Sequence, residues 1–202
     1  KTVAEPLVQK GCKVIVPDLP GFGLSQEPKT AWSIDEYVEW LHDFCQQIPD
    51  LKGEFTILGH SFGGTVATKF ALKYNQHIKK LFLVAPSCIR TVTFSQKVSG
   101  VISRVFKAFY FFPFYESFRK FVYTFIIRKS DYPYVSGIMK EIYLKVIAED
   151  LSEKLAFIKV PTVIIWGERD DLTPLEYGYI IHKKIQGSTL IVIKDADHNL
   201  HL

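Results

Sequence analysis

Cysteine is scarce in this chain of 202 residues, which contains only Cys12, Cys45 and Cys88. An odd number of widely spaced thiols provides neither the paired framework of a disulfide-stabilised domain nor the close spacing of a zinc site. The sequence therefore favours reduced thiols in an intracellular protein, and a cytoplasmic location is expected.

Long apolar segments are lacking as well. No uninterrupted run is long enough to cross a bilayer, and no secretory signal peptide is recognisable. The chain starts with Lys1 rather than Met, so we interpret it as an internal part of a longer gene product. Its 48% hydrophobic and 23% charged residues are typical of a globular domain with a substantial core.

Positive charge is concentrated in one part of the chain. The net charge is +4, but residues 87–160 contain 12 Lys and Arg against 6 Asp and Glu, while the remaining residues contain 13 against 15. A nucleic-acid-binding domain would be basic more uniformly, so nucleic acid is not an expected partner. Metal ligands at a recognisable spacing and a phosphate-binding glycine pattern are also lacking, so no cofactor is expected.

Short apolar runs alternate with amphipathic stretches along most of the chain. Predicted strands cover residues 14–16, 55–58, 81–84, 163–166 and 190–193, and predicted helices cover 34–48, 65–74 and 175–185. Ser33 and Glu36 have the spacing of a capping box at the start of the first of these helices. Strands that are apolar throughout and separated by helices predict an α/β fold, with a mostly parallel sheet and helices on both faces.

Residues 87–160 interrupt this alternation and separate residues 1–86 from residues 161–202. Thirteen aromatic residues fall within 102–134, and we interpret the whole segment as a mostly helical insertion rather than a separate domain. Its aromatic side chains are predicted to pack in a core or to line an apolar pocket. Its basic side chains are predicted to be solvated, with contact to an anionic membrane surface as the alternative: Arg104, Lys107, Arg119, Lys120, Arg128 and Lys129.

The sequence GHSFG at residues 59–63 follows a predicted strand and precedes a predicted helix. In that setting the pattern G-x-S-x-G forms a sharp turn that exposes the serine oxygen at the end of a sheet, and the two glycines let the backbone pack around it. Ser61 is therefore the predicted nucleophile. The N-terminus of the following helix would favour the negative charge that develops during acyl transfer.

A serine hydroxyl needs a general base, and His198 is the predicted base. It follows the last predicted strand, at the sheet end where the serine emerges. His60 adjoins the serine, but neighbouring side chains at a sharp turn point apart, which makes it a poor base. His42, His77 and His182 lie in or at the ends of predicted helices, and His201, close to the last residue, is the competing candidate for the base.

A carboxylate must orient the base, and two candidates follow the strand at residues 163–166. Asp170 is the predicted acid and Asp171 the fallback. Their loop lies at the same sheet end as the serine, and the chain order Ser, Asp, His is the one that the α/β-hydrolase arrangement requires.

Taken together, these motifs resemble the α/β-hydrolase superfamily, in particular its serine-nucleophile, cap-containing branch of esterases and lipases. Residues 14–25 (VIVPDLPGFGLS) look like the family's fourth strand and its loop, residues 59–64 (GHSFGG) like its nucleophile elbow, and residues 166–170 (WGERD) like its acid turn, which favours Asp170. The resemblance implies that Ser61, Asp170 and His198 form a catalytic triad. It also implies that the backbone N–H of Phe62 is an oxyanion donor and that residues 87–160 are the cap inserted after the family's sixth strand.

The chain departs from the family pattern at both ends. The loop that supplies the family's second oxyanion donor, the third strand before it and the helix after the catalytic histidine are not found in the sequence. We therefore expect a piece truncated at both ends, with a gap in the sheet next to residues 14–16.

A serine nucleophile argues against the family's aspartate-dependent dehalogenases and epoxide hydrolases. The leading prediction is hydrolysis of a small or lipid-like carboxylic ester through an acyl-enzyme. Hydrolysis of a carbon–carbon bond in ring-cleavage products uses the same triad and remains an alternative, as does a non-catalytic protein that binds a small ligand in the same pocket.

Overall fold

The computed structural model of the protein describes residues 3–90 and 137–200. The strands in these residues are β1 (Phe55–His60), β2 (Ile78–Val84), β3 (Thr162–Gly167) and β4 (Thr189–Ile193). The helices are α1 (Ala4–Gln9), α2 (Ile34–Gln47), α3 (Ser61–Lys73), α4 (Gly137–Ala148) and α5 (Leu175–Lys184). Short 3-10 helices occur at Pro49–Leu51, Asn75–His77 and Leu155–Phe157.

The four strands form one sheet in the order β1-β2-β3-β4, and every neighbouring pair is parallel. Helix α3 packs against β1 and β2, and α5 packs against β3 and β4. The predicted α/β fold is confirmed. In a parallel sheet all strands end at the same edge, so the loops that follow β1, β3 and β4 meet there.

The predicted strand at residues 14–16 does not form in the described part of the chain. Val16 is 75% exposed rather than buried, and on β1, Leu58 is 49% exposed. A β-branched run becomes a strand only when a neighbouring strand pairs with its backbone. The sheet of the described residues starts at β1, and residues 14–16 pair with none of its strands.

Helix α2 begins as the sequence predicts. The side chain of Glu36 accepts a hydrogen bond from the backbone N–H of Ser33 at 2.6 Å, and the Ser33 hydroxyl oxygen accepts one from the N–H of Asp35 at 3.2 Å. Hydrogen bonds from Ser33 also lower the pKa of Glu36. The capping box is therefore confirmed, and it directs one apolar face of the helix into the core: Ile34, Tyr37, Val38, Leu41 and Cys45.

One buried cation ties three segments together. The ammonium group of Lys69 on α3 lies 2.9 Å from a carboxylate oxygen of Asp35 and 2.8 Å from one of Glu149, and its side chain is only 11% exposed. Burial alone would lower the pKa of Lys69, but the two carboxylates raise it above its usual range. Because both partners are present, α2, α3 and the segment after α4 are held around a satisfied charge.

The last part of the predicted insertion packs with the sheet and its helices. Ile142 and Val146 on α4 are buried in the same core as α2 and α3, and the backbone N–H of Leu151 donates to the carbonyl of Cys88 at 2.8 Å. These residues belong to the compact unit of Lys1–Ile89 and Ser136–Leu202. The rest of the predicted cap, residues 91–136, lies outside the described residues, so the helical cap stays a prediction. Among the described helices, none is both long and apolar enough to span a membrane.

Candidate active site

Ser61 occupies a strained turn between a strand and a helix. Strand β1 ends at His60 and α3 starts at the next residue, so the chain reverses direction without an intervening loop. Ser61 has φ 50°, in the left-handed region that a residue with a side chain rarely adopts. Such a conformation costs roughly 1–3 kcal/mol and persists where the surroundings enforce it. The serine is partly exposed at the carboxyl end of the sheet.

Two glycines make room for this turn. A Cβ atom on Gly59 would overlap the carbonyl oxygen of Gly63, and one on Gly64 would lie 2.7 Å from the Cβ of Pro86. At Gly63, no atom of the described residues beyond its own helix backbone lies within 4 Å of the corresponding position. Among the described residues, the close approach next to α3 therefore falls on Gly64, where α3 passes the end of β2, rather than on Gly63.

Asp170 is held three residues beyond β3, with its side chain fully buried. One carboxylate oxygen, Oδ1, accepts the backbone N–H groups of Leu172 at 2.9 Å and Thr173 at 2.8 Å, and the Thr173 hydroxyl donates to Oδ2 at 2.8 Å. Burial alone would raise the pKa of Asp170, but the hydrogen bonds from His198 and Thr173 hold it below its ordinary value. The carboxylate is therefore ionised and fixed in direction.

His198 contacts this carboxylate through one ring nitrogen. Its Nδ1 lies 2.7 Å from Oδ2 of Asp170 and 3.1 Å from the Thr173 hydroxyl, and the residue is 7% exposed. An ionised carboxylate only accepts, so in the neutral imidazole Nδ1 carries the hydrogen and Nε2 keeps its lone pair. That tautomer is the one that a general base needs. Asp171 is exposed, so the structure distinguishes Asp170 from its neighbour.

Thr173 was not identified from the sequence. A threonine three residues after an aspartate in a loop is common, because such hydroxyls often bond locally. Its position is fixed by the indole N–H of Trp166, which donates to the Thr173 carbonyl at 2.8 Å from a fully buried ring. The spacing D-x-x-T after the acid is the signal that could have found it.

The turn that carries His198 is attached to the segment after β3. The backbone N–H of Arg169 donates to the carbonyl of Ala196 at 2.8 Å, and Glu168 accepts the backbone N–H of Asp195 at 3.0 Å. A Cβ on Gly167 would overlap the carbonyl oxygen of Asp197. These contacts position the turn over the end of β3.

His60 links the same turn to the serine strand. Its Nε2 lies 2.9 Å from the backbone carbonyl oxygen of His198, and the two imidazole centroids are 4.8 Å apart. The sequence alone predicts only that His60 is a poor base. In the structure His60 contacts His198, and His198 contacts Asp170. These two contacts join the end of β1 to the loops that follow β3 and β4.

Aromatic rings surround the residue after the serine. Phe62 stacks on Phe22 with centroids 5.3 Å apart and meets the edge of Tyr37 at 5.1 Å. The Tyr37 hydroxyl donates to the carbonyl of Pro20 at 3.0 Å, which anchors the glycine-rich loop of Phe22. Phe22 is 43% exposed. An apolar surface thus lies next to the serine turn.

The remaining sequence candidates lie elsewhere. His42 stacks on Tyr74 with centroids 4.1 Å apart, and Nδ1 of His182 bonds the Ser188 hydroxyl at 2.9 Å. His201 lies outside the described residues. Within residues 3–90 and 137–200 there is no group of three or more His, Cys, Asp or Glu side chains arranged to hold a metal ion.

Comparison with known proteins identifies the family. The sequence model of the α/β-hydrolase fold family matches residues 1–114, more than half of the chain. The sheet and the serine turn described above have the architecture of that family. The chain belongs to the α/β-hydrolase fold family.

Individual relatives differ in activity. The chain is 25% identical to Lipase 3 of Moraxella sp. (strain TA144), with 94% of this chain and 64% of the lipase covered. It is 28% identical to a proline iminopeptidase of Saccharolobus solfataricus, with 93% and 70% covered. The structure matches a meta-cleavage product hydrolase of Pseudomonas fluorescens IP01 with a TM-score of 0.65 and 19% identity, covering 96% of this chain and 75% of that one. The chain thus spans less than two thirds of the lipase's length. The activities of these relatives differ from one another, and the matches select no substrate.

Proposed function

We propose that the protein is a serine hydrolase that cleaves a carboxylic ester with a small or lipid-like acyl group, using Ser61 as nucleophile, His198 as general base and Asp170 as the residue that orients it. The observation that carries the proposal is the buried pair of His198 and Asp170, 2.7 Å apart, on the loops that meet Ser61's turn. A structural ion pair would not need the neighbouring serine to adopt a left-handed conformation.

In the first half of the reaction, Ser61 Oγ attacks the ester carbonyl carbon while its proton passes to Nε2 of His198. The imidazolium that forms is stabilised by the ionised Asp170 at Nδ1. The tetrahedral intermediate then collapses, the bond between carbonyl carbon and alkoxy oxygen breaks, and His198 returns the proton to the departing alcohol.

The negative charge on the carbonyl oxygen needs donors during this step. Phe62 is the second residue of α3, and the first backbone N–H groups of a helix have no partner within it. Together with the positive end of the helix dipole, the Phe62 N–H is suited to stabilise the oxyanion.

In the second half, water attacks the acyl group on Ser61. His198 takes the proton from that water and returns it to Ser61 Oγ when the carbon–oxygen bond of the acyl-enzyme breaks. The products are the carboxylic acid and the regenerated serine hydroxyl, so the same residues serve both halves and no further reactant is required.

Two observations favour an ester with an apolar acyl group. The stacked rings of Phe22 and Phe62 form an apolar surface that adjoins the serine turn, and the buried ring of Tyr37 supports it from below; apolar walls hold acyl chains by burial. The relative named Lipase 3 supports the same chemistry. The proline iminopeptidase and the meta-cleavage product hydrolase support peptide and ring-cleavage substrates as the competing possibilities.

The test is hydrolysis of p-nitrophenyl esters from acetate to palmitate by the full-length protein and by Ser61→Ala. A prolyl arylamide and a ring-cleavage product are measured in parallel. The proposal predicts turnover of at least one ester chain length that is lost in Ser61→Ala.

Turnover of the prolyl amide or the ring-cleavage product far above every ester would contradict the ester assignment while leaving Ser61 as nucleophile. Ester turnover that survives in Ser61→Ala would contradict the nucleophile itself.

A further inference from the structure

The base and the nucleophile belong to opposite edges of the described sheet. Ser61 follows β1 and His198 follows β4, and two strands lie between them. Neighbouring strands are about 4.8 Å apart, so the ends of β1 and β4 are separated by roughly 14 Å. The turn after β4 must therefore cross the ends of β3 and β2 before His198 can approach the serine.

The turn that follows β4 is attached mainly through its first residues, Asp195 and Ala196. Arg169 N–H bonds Ala196, Glu168 accepts the N–H of Asp195, and Arg169 pairs with the Asp195 carboxylate. All of these partners belong to the segment directly after β3. These contacts fix the position of the turn next to β3, but none of them involves a residue of β1.

The side chain of His198 is fixed at a different point. Asp170 and Thr173 contact Nδ1 and so set the direction of that nitrogen. Both partners again follow β3. A ring held at one nitrogen can still pivot unless the backbone that carries it is held as well.

His60 provides that second point of attachment. The carbonyl oxygen of His198 can only accept, so Nε2 of His60 carries the hydrogen and donates across 2.9 Å. His60 is the last residue of β1 and is bonded directly to Ser61. A displacement of the His198 backbone away from the serine strand therefore stretches or breaks this hydrogen bond.

We propose that His60 is a positioning residue, whose Nε2–H bond to the His198 carbonyl sets the distance between the general base and the nucleophile. This inference rests on the proposed function. It differs from a packing role in a specific way: what matters is a donor at the position of Nε2, not the imidazole ring. Glutamine places its amide nitrogen at about the same reach as Nε2, whereas asparagine places it near Nδ1, one bond too short.

The experiment compares wild type, His60→Gln and His60→Asn in the full-length protein, with kcat and KM measured on the best p-nitrophenyl ester and thermal midpoints measured alongside. Both variants lose the ring and keep a neutral amide, so they form a matched pair. We expect His60→Gln to keep kcat within about threefold of wild type. We expect His60→Asn to lose about 10- to 100-fold in kcat with little change in KM, because small misplacements of reacting groups cost that much.

Wild-type kcat in His60→Asn, or equal losses in both variants, would overturn the inference. If His60→Asn does not fold, His60→Gln decides alone, since a loss above tenfold contradicts a role based on the donor. A wild-type protein that cleaves no ester and whose Ser61 does not react with a fluorophosphonate would instead refute the proposed function. The role of His60 is contradicted independently of the proposed function only when the wild-type protein cleaves the ester.

Discussion

Thr173 holds both oxygens of the Asp170 carboxylate, the backbone N–H on Oδ1 and the hydroxyl on Oδ2, each at 2.8 Å. Two donors from one residue fix the orientation of the carboxylate plane and stabilise the ionised form of the carboxylate. The direction in which Asp170 presents Oδ2 to His198 is therefore set by Thr173.

Replacing Thr173 by Val removes the hydroxyl and keeps the shape and the backbone donor. We expect the free energy of unfolding at pH 7 to fall by about 1.5–3 kcal/mol, the range for a hydrogen bond to a charged group, and kcat to fall with it. Urea denaturation and ester kinetics measure both. Thr173→Ser is the control and should stay close to wild type, so equal behaviour of Val and Ser would contradict the role of the hydroxyl.

The glycines of the serine turn offer a second matched pair. Gly64→Ala places a methyl group 2.7 Å from the Cβ of Pro86, whereas Gly63→Ala meets no atom of the described residues beyond its own helix backbone. We expect Gly64→Ala to lower the free energy of unfolding by about 1–3 kcal/mol through overpacking, and Gly63→Ala to be neutral or stabilising by up to about 1 kcal/mol, because alanine is the better helix former. Denaturant midpoints decide, and equal effects at the two positions would refute this geometry.

The choice between adjacent aspartates predicts opposite kinetic results. Asp170→Asn should lower kcat by about 10⁴-fold, since an amide at this point favours the wrong imidazole tautomer. Asp171→Asn should stay within about threefold of wild type, because its side chain is exposed. A large loss in Asp171→Asn with little effect of Asp170→Asn would exchange their roles.

The environment of Asp170 also predicts how stability depends on pH. Burial alone would raise the pKa of Asp170, but the hydrogen bonds from His198 and Thr173 hold it below its ordinary value in the folded protein, so the folded state favours the ionised carboxylate. This contribution is fully present above about pH 4 and is lost as the pH falls through the folded pKa. The difference in thermal midpoint between wild type and Asp170→Asn should therefore become smaller as the pH is lowered below about 4. A difference that stays constant down to pH 2.5 would contradict the lowered pKa.

Local patterns predicted the parts of the fold that depend on local physics. The capping box of Ser33 and Glu36 starts α2 as expected, and the four apolar runs that form strands pair in a parallel sheet. The run at residues 14–16 has the same composition but no pairing strand in the described sheet, and composition alone could not reveal that. Strand formation depends on the neighbour as much as on the residue.

The residues of the candidate site also fall into those that local sequence patterns predict and those that depend on tertiary contacts. Ser61, Asp170 and His198 could be predicted because each follows a strand, and parallel strands end at one edge. The contact of His60 could not, because it depends on side-chain placement, and Thr173 could be found only through the D-x-x-T spacing that starts at the acid. The bond from His60 to His198 joins residues 138 positions apart, and no local pattern encodes it.

The proposed reaction depends on Ser61 being a nucleophile that His198 activates. The most direct test is reaction of the full-length protein with a fluorophosphonate probe, followed by mass spectrometry of the peptide that contains Ser61. We expect one adduct, located on Ser61, which forms much more slowly in His198→Ala and is absent from Ser61→Ala. A folded wild-type protein that forms no adduct on Ser61 would contradict it.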